Sequence, residues 1–159
     1  MRSQPANRLS TKGLTVWRLY GWLQTGLVAL FAIGISTLTY FLEWPWFIYA
    51  IAAAVVVLYG WLFIYLFPKI RWSRWRYEVR ESEIELQHGI FIVTRTLIPM
   101  VRVQHVDTAQ GPILKKYDLS AISISSAATV HSIPALAVEE ADELRNRISA
   151  LAKVAEDDV

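Results

Sequence analysis

The sequence predicts a membrane-anchored protein in two parts: an α-helical hairpin of two transmembrane helices, followed by a small α+β domain. Two uncharged stretches, Leu19–Leu42 and Trp44–Phe67, are each 24 residues long. A helix rises about 1.5 Å per residue, so each stretch reaches about 36 Å, enough to cross a hydrocarbon core of about 30 Å. From Trp75 onward, apolar residues first alternate with polar ones and then follow a helical period, which predicts short strands and one amphipathic helix.

Charge divides the 159-residue chain into two unlike halves. Residues 1–76 carry eight Lys and Arg residues against one acid, Glu43, whereas residues 77–159 carry eight bases and thirteen acids. The acidic second half has no basic stripe of the kind that binds nucleic acid, so we expect no nucleic-acid partner. The chain contains no cysteine, which excludes disulfides, thiolate catalysis and cysteine-ligated metal.

The distribution of bases also predicts the orientation of the hairpin. Four bases precede the first uncharged stretch and four follow the second, whereas the turn near residues 43–45 has none. By the positive-inside rule, both termini and the α+β domain are cytoplasmic. Trp and Tyr residues flank the stretches, as is typical of the headgroup level of a bilayer. The alternative, two buried helices of a soluble core, is disfavoured by these flanking residues.

The two stretches carry no charged side chain, so we expect no proton or ion pathway through them. Small residues recur every four positions, and this spacing lets helices approach closely. The candidates for helix packing are Gly21, Thr25, Ala29, Ala50 and Ala54. Packing within the hairpin and association with the helices of a partner are both compatible with this pattern.

The second half predicts a ladder of short antiparallel strands closed by one helix. The predicted strands are the alternating segments 76–80, 83–87, 101–107 and 120–126, the β-rich segment 90–98 and the short segment 130–133. Pro68 is expected to end the second transmembrane helix, Pro112–Tyr117 to form a short helical turn, and the chain to become helical after Pro134. Because about 80 residues bury little surface, the last helix must cap an open barrel. This is the outline of a pleckstrin-homology-like (PH-like) β-barrel with a C-terminal helix.

These elements predict five segments along the chain. They are a basic cytoplasmic N-terminus (1–18), the transmembrane hairpin (19–67), a basic collar or linker (68–76), the PH-like domain (77–153) and a frayed tail (154–159).

Three segments resemble a known family. They are IPMVRVQHVDTAQGPILKKYDL (98–119), SAISISSAA (120–128) and HSIPALAVEEADELRNRI (131–148). In order and spacing they resemble the second type of bacterial PH-like domain, and the whole chain is similar to the small YdbS-type membrane proteins. Asp118 stands where the family has Gly, and Ala127-Ala128 replaces its closing Ala-Gly. Since Asp tolerates a left-handed backbone better than most residues, we expect the turn at Asp118 to survive.

The resemblance implies a bacterial cytoplasmic (inner) membrane protein without catalytic activity or cofactor. Relatives of this type accompany a larger membrane protein with several PH-like domains. The predicted function is therefore a non-enzymatic interaction module of a hetero-oligomeric membrane complex, linked to envelope stress or to tolerance of membrane-active peptides. One alternative is a lipid-sensing surface at the inner leaflet, and another is an accessory subunit of a transporter. Membrane lipid and a second copy of the chain are further expected partners.

Arg102, Gln104 and His105 are the most suggestive polar cluster and form a candidate interaction surface. In a regular strand, Arg102 and Gln104 share one face and His105 lies on the other. A solvated face, with hydrogen bonds from Gln104 that fix the strand register, is the alternative. The three histidines, His88, His105 and His131, lack local metal-ligand spacing, so we expect no metal site.

Five bases are candidates for contact with lipid head groups. They are Lys69, Arg71, Arg74, Lys115 and Lys116. Bases near the membrane attract anionic lipid, but the first three also serve as topology signals, and Lys115-Lys116 is equally compatible with a solvated loop. Ser123, Ser125 and Ser126 have no base–acid partner nearby in the sequence, so no catalytic residue is predicted.

Overall fold

A computed structural model describes residues 4–127 and 129–157. The chain forms two compact units. One comprises residues 17–70 and is called the hairpin unit. The other is formed by the residues up to Val16 together with those from Arg71 onward, and is called the β unit.

The hairpin unit confirms the prediction of two apolar helices of membrane-spanning length. Helix α1 (Thr11–Phe41) has 31 residues, and the second helical stretch, Phe47–Arg74, has 28. The second stretch consists of α2 (Phe47–Gly60), a π-helical segment (Trp61–Leu66) and α3 (Phe67–Arg74). Between the two stretches, Glu43 adopts a φ of +52°, a left-handed conformation that reverses the chain direction.

The expectation that Pro68 ends the second helix is wrong. Pro68 is the second residue of α3, and the helix continues to Arg74. The π-helical segment precedes it, and the N–H of Phe67 donates to the carbonyl of Leu62, five residues back. This wider turn relieves the clash between a proline ring and the carbonyl of the preceding turn. Residues 68–74 of the predicted collar are therefore a continuation of the helix, and Arg76 begins β2.

Within the described residues, the strands form two antiparallel sheets. The first has the order β1–β2–β3–β4, and the second the order β5–β6–β7. The strands are β1 (Asn7–Arg8), β2 (Arg76–Val79), β3 (Glu83–His88), β4 (Thr94–Pro99), β5 (Val103–Ala109), β6 (Leu119–Ser126) and β7 (Val130–Ala137). A 3-10 turn (Met100–Arg102) leads from β4 to β5, α4 (Pro112–Lys116) joins β5 to β6, and α5 (Val138–Asp157) follows β7. A two-sheet antiparallel domain with a C-terminal helix is consistent with the predicted PH-like fold.

The core of the β unit collects the inward-facing residues of both sheets and of α5. The fully buried side chains include Ile84, Leu86, Ile122, Ile124, Ile133 and Ile148. Tyr77 on β2 is also buried, and its hydroxyl donates a hydrogen bond to the carboxylate of Glu140 on α5. Burial, and then the neighbouring Glu140, raise the pKa of Tyr77. The phenol therefore keeps the proton with which it joins the sheet to the helix.

Two strand boundaries differ from the prediction by four residues, which is more than any other. The segment expected as a strand from Ile90 begins only at Thr94, because Gly89 adopts a φ of +134° and opens a loop. Strand β7 runs through Pro134 to Ala137, where a helix was expected. Since β7 pairs with β6 alone, it is an edge strand, where proline is tolerated. A bulge and the left-handed backbone of Ala135 (φ +54°) accommodate Pro134 in the strand.

The turn at Asp118 survives as expected. Asp118 has a φ of +53°, the left-handed conformation that the family's glycine would adopt. Its carbonyl accepts a hydrogen bond from the N–H of Val138, 3.3 Å away. Ala128, the second residue of the expected closing pair, lies outside the described residues.

The N-terminal residues belong to the β unit, although the sequence predicted a separate basic segment there. Strand β1 pairs with β2, with Asn7 opposite Tyr77. Leu9 and Val16 are buried, with 3% and 1% of their surfaces exposed, and Val16 packs with Leu119 and Ala135. A strand of two residues has no alternating pattern, so hydrophobic periodicity could not reveal this pairing.

Gly13 marks the closest approach of this segment to β7, and it generates a stability prediction. A Cβ atom at Gly13 would lie 2.7 Å from the Cβ of Ala135. Gly13→Leu should therefore lower the free energy of unfolding of the β unit by about 1–3 kcal/mol, because overpacking forces the neighbours apart. Thr15→Leu, at an exposed position of the same helix, is the matched control. Urea unfolding in detergent, followed by circular dichroism, measures both, and equal stabilities would contradict the packing.

Candidate interaction surfaces

An open cavity of about 540 Å³ lies on the β unit beside the predicted polar cluster. It is lined by Val101, Val103, Gln104, His105 and Ala152. The register shifts between Val103, opposite Ser126, and His105, opposite Ser125, so Gln104 is the extra residue of a bulge. The prediction that Gln104 and His105 lie on opposite faces is therefore wrong, because a bulge interrupts the alternation. The bulge brings both polar side chains to one cavity.

The 3-10 turn positions Arg102 next to this cavity. Met100 is buried and its N–H donates to the carbonyl of Ser82 at 3.0 Å, which fixes the turn. Arg102 is exposed between Val101 and Val103, two of the lining residues. Sequence reasoning found the polar members but missed the apolar wall. Val101 and Ala152 come from two distant parts of the chain, and only the tertiary fold brings them together.

The predicted lipid-contacting bases lie in two places. Lys69, Arg71 and Arg74 follow one another along α3, and Arg74 donates a hydrogen bond to the carbonyl of Ile90 in the β3–β4 loop. Lys115 and Lys116 are exposed on α4. Arg74 is thus partly engaged in holding a loop, whereas the two lysines project from the surface.

The α4 region packs on a buried cluster that includes Val16 of α1. Its apolar residues pack on the cluster formed by Val16, Leu119 and Ala135. These packed residues are Ile113, Leu114 and Tyr117. Because Val16 is three residues before the uncharged stretch that begins at Leu19, Lys115 and Lys116 are anchored to the segment that leads into the first transmembrane helix.

The small residues of the hairpin divide into two groups. A Cβ atom at Gly21 would lie 2.3 Å from the carbonyl oxygen of Phe63, so the two helices approach closely there. Thr25 is buried opposite Gly60, whose added Cβ would lie 3.2 Å from the Thr25 methyl carbon. Ala29 is half-buried, whereas Ala50 and Ala54 are exposed. Of the two alternatives, packing within the hairpin therefore does not apply to the exposed Ala50 and Ala54, and association with the helices of a partner stays a prediction for them.

A cluster of glutamates on β2 and β3 is paired with arginines. Arg80 lies 3.1 Å from Glu78, 3.0 Å from Glu83 and 3.4 Å from Glu85, and Arg95 lies 3.4 Å from Glu85. The hydrogen bond from Arg80 lowers the pKa of Glu78, and the same bond raises the pKa of Arg80. With its pKa lowered in this way, the carboxylate of Glu78 is poorly suited to general acid catalysis.

The three histidines lie in separate surroundings. The ring of His88 stacks on Trp75 with a centroid distance of 5.8 Å, and Nε2 of His131 lies 2.9 Å from the hydroxyl of Thr129. His105 lines the cavity. Among residues 4–127 and 129–157, no group of three or more histidine or acidic side chains is arranged to hold a metal ion.

Comparison with known proteins gives the class of this molecule. Residues 50–152 match the family model described as bacterial PH domain. The chain is 53% identical over 159 residues, 100% of both proteins, to the UPF0699 transmembrane protein YdbS of Bacillus subtilis (strain 168). Over 95 residues, 56% of this chain and 19% of the relative, it is 26% identical to the UPF0699 transmembrane protein YdbT of the same strain. No solved structure matches the chain.

Fold and matches together define a membrane protein that carries a bacterial PH domain. The chain belongs to the YdbS type of the UPF0699 transmembrane proteins, as the sequence resemblance predicted. Neither the PH-domain family nor the UPF0699 family is a family of enzymes.

The glutamate cluster predicts how the stability of the β unit depends on pH. Because the pKa of Glu78 is lower in the folded chain than its unfolded value of about 4.3, its stabilisation is present above pH 4.3 and disappears as the pH falls through the folded-state pKa. Glu78→Gln should lower the free energy of unfolding at pH 7. It should also reduce the further decrease in that free energy when the pH is lowered from 7 to an acidic value.

Urea unfolding at neutral and acidic pH, followed by circular dichroism in detergent, measures this difference. Glu81→Gln, at an exposed glutamate in the β2–β3 turn, is the matched control. The same loss on acidification in wild type and Glu78→Gln would contradict a role for Glu78.

Proposed function

We propose that the protein is a non-enzymatic, membrane-anchored interaction module, a subunit of a hetero-oligomeric complex in the bacterial cytoplasmic membrane. The hairpin spans the bilayer, both termini and the β unit are cytoplasmic, and the β unit binds a larger membrane protein that carries further PH-like domains. A role in envelope stress or in tolerance of membrane-active peptides belongs to the same proposal.

The observation that carries the proposal is the open cavity beside Arg102, Gln104 and His105. Its wall combines valines with exposed polar side chains, a mixture typical of interfaces that form between separately folded proteins. It also lies at the edge strand β5, whose outer backbone groups face away from β6. An exposed strand edge is a template for pairing with another chain.

The anchoring of the β unit supports the proposal physically. Residues on both sides of the hairpin unit, up to Val16 and from Arg71 onward, belong to the β unit. A module tied to the membrane in this way meets a membrane partner at a raised effective concentration, so a modest interface suffices. The 95-residue similarity to YdbT, which covers 19% of that longer protein, supports a partner of the same family.

The test is purification of the tagged full-length chain in a gentle detergent, with mass spectrometry of the captured proteins and mass determination of the complex. We expect a stoichiometric partner that contains further PH-like domains. Arg102→Glu and His105→Glu should each reduce its capture, because both place a negative charge beside the cavity. Arg147→Glu, the same charge change at an exposed position of α5, should leave capture unchanged. Equal capture by all variants would contradict this surface.

A lipid-sensing surface is the second candidate function, favoured by the exposed Lys115 and Lys116 on a helix that packs around Val16. In the same purification, this function predicts a chain without a protein partner that retains anionic lipid. Lys115→Glu with Lys116→Glu should release the lipid, whereas Lys153→Glu on α5 should not. Lipid retained by the double variant would contradict sensing through α4.

A further inference from the structure

The β3–β4 loop presents an apolar tip on the surface of the β unit. Residues 89–93 join β3 to β4, and three consecutive side chains are exposed: Phe91 by 83%, Ile92 by 81% and Val93 by 44%. Contiguous exposed apolar side chains mark sites that contact a protein or a membrane. The interaction surface proposed above does not include this loop.

The backbone of the loop is tightly built. Gly89 has a φ of +134°, and a Cβ atom there would lie 1.9 Å from the carbonyl oxygen of Ile92. The chain therefore folds back on itself at a position that only glycine can occupy. The backbone that carries the apolar tip is thus held in one conformation by the fold.

Two contacts hold the loop against the end of α3. The guanidinium of Arg74 donates to the carbonyl of Ile90, the second residue of the loop. Trp75, which follows α3, stacks on His88, the last residue of β3. Phe91 and Ile92 can therefore contact the same surroundings as the end of α3.

Chain connectivity places the end of α3 close to the bilayer. Arg74 is the seventh residue after Phe67, with which the second uncharged stretch ends, and both belong to α3. Seven residues of helix rise about 10 Å, and the headgroup layer on each side of the hydrocarbon core is roughly 5–8 Å thick. The bases Lys69 and Arg71, on the intervening turns, suit this layer.

We propose that Phe91 and Ile92 insert into the lipid bilayer at the face where α3 ends, as a contact of the β unit with the membrane in addition to the two helices. The occupant is lipid, because the loop is apolar, projects from the surface and is held to a helix that leaves the bilayer only seven residues earlier. The β3–β4 hairpin would thereby be fixed to the interface by its own tip.

The chain contains no cysteine, so a single reporter can be attached at a chosen position. Phe91→Cys and Ile92→Cys are each labelled with the fluorophore nitrobenzoxadiazole in the full-length chain. Val130→Cys, exposed by 67%, is the matched control. Val130 pairs with Ser125, at the opposite end of β6 from the Leu119 that packs on Val16. The labelled proteins are reconstituted into vesicles of phosphatidylcholine and phosphatidylglycerol.

Insertion predicts that nitroxide-bearing lipids quench the labels at 91 and 92 several times more strongly than the label at 130, and that aqueous iodide does the reverse. Equal iodide quenching at all three positions, without quenching by the lipids, would place the loop in water and overturn the proposal. Protection from both quenchers would place the loop under protein and would overturn it as well.

A second variant separates insertion by the tip from mere proximity to the membrane. Ile92→Asp is introduced beside the label at 91; since position 92 is exposed, the core should keep its circular dichroism spectrum. Quenching of the label at 91 by the nitroxide lipids should fall to the level at 130. Unchanged quenching would show that the tip does not depend on its apolar character, and would overturn the proposal.

Discussion

The burial of Val16 between Leu119 and Ala135 is the contact on which the rest of the architecture depends. Val16 is the last residue of the first helix that belongs to the β unit, and the next residue begins the hairpin unit. Burying such a side chain contributes about 1.5–3 kcal/mol, and Leu9 and the β1–β2 pairing add to it. The segment before the hairpin unit therefore cannot leave the β unit without exposing core residues.

This packing bears on the three candidate interaction surfaces of the β unit. A domain on a flexible tether samples many orientations, and each ordered contact then costs conformational entropy. Here the chain enters the β unit at two points, so α4 with its two lysines and the β3–β4 loop are each attached to a segment that leads directly to a membrane helix. The proposed protein partner binds at the cavity beside Gln104 and His105, whereas the proposed contacts with lipid are made by α4 and by the β3–β4 loop.

The sequence predicted those parts of the structure that depend on local periodicity. Uncharged length identified both membrane helices, period-two alternation identified most strands, and a helical period identified α5. Three features could not be predicted from the sequence because they depend on tertiary contacts or on backbone geometry. Strand β1 has only two residues, so it shows no hydrophobic periodicity. The helix continues through Pro68 because a π-helical segment precedes it, and nothing in the sequence pattern indicates that segment. The bulge at Gln104 interrupts the alternation from which the face of each strand residue was predicted. The polar members of the candidate surface were found from their residue types, whereas its apolar wall required the fold.

The most direct test of the account is to measure whether the N-terminal segment is part of the β unit. Residues 4–16 joined through a flexible Gly-Ser linker to residues 71–157 can be compared with residues 71–157 alone, in water, by urea unfolding. We expect a cooperative transition for the fusion protein and a free energy of unfolding lower by several kcal/mol, or no transition, for the shorter chain. Equal stability of the two would contradict it, since the first turns of α1 would then contribute nothing to the fold.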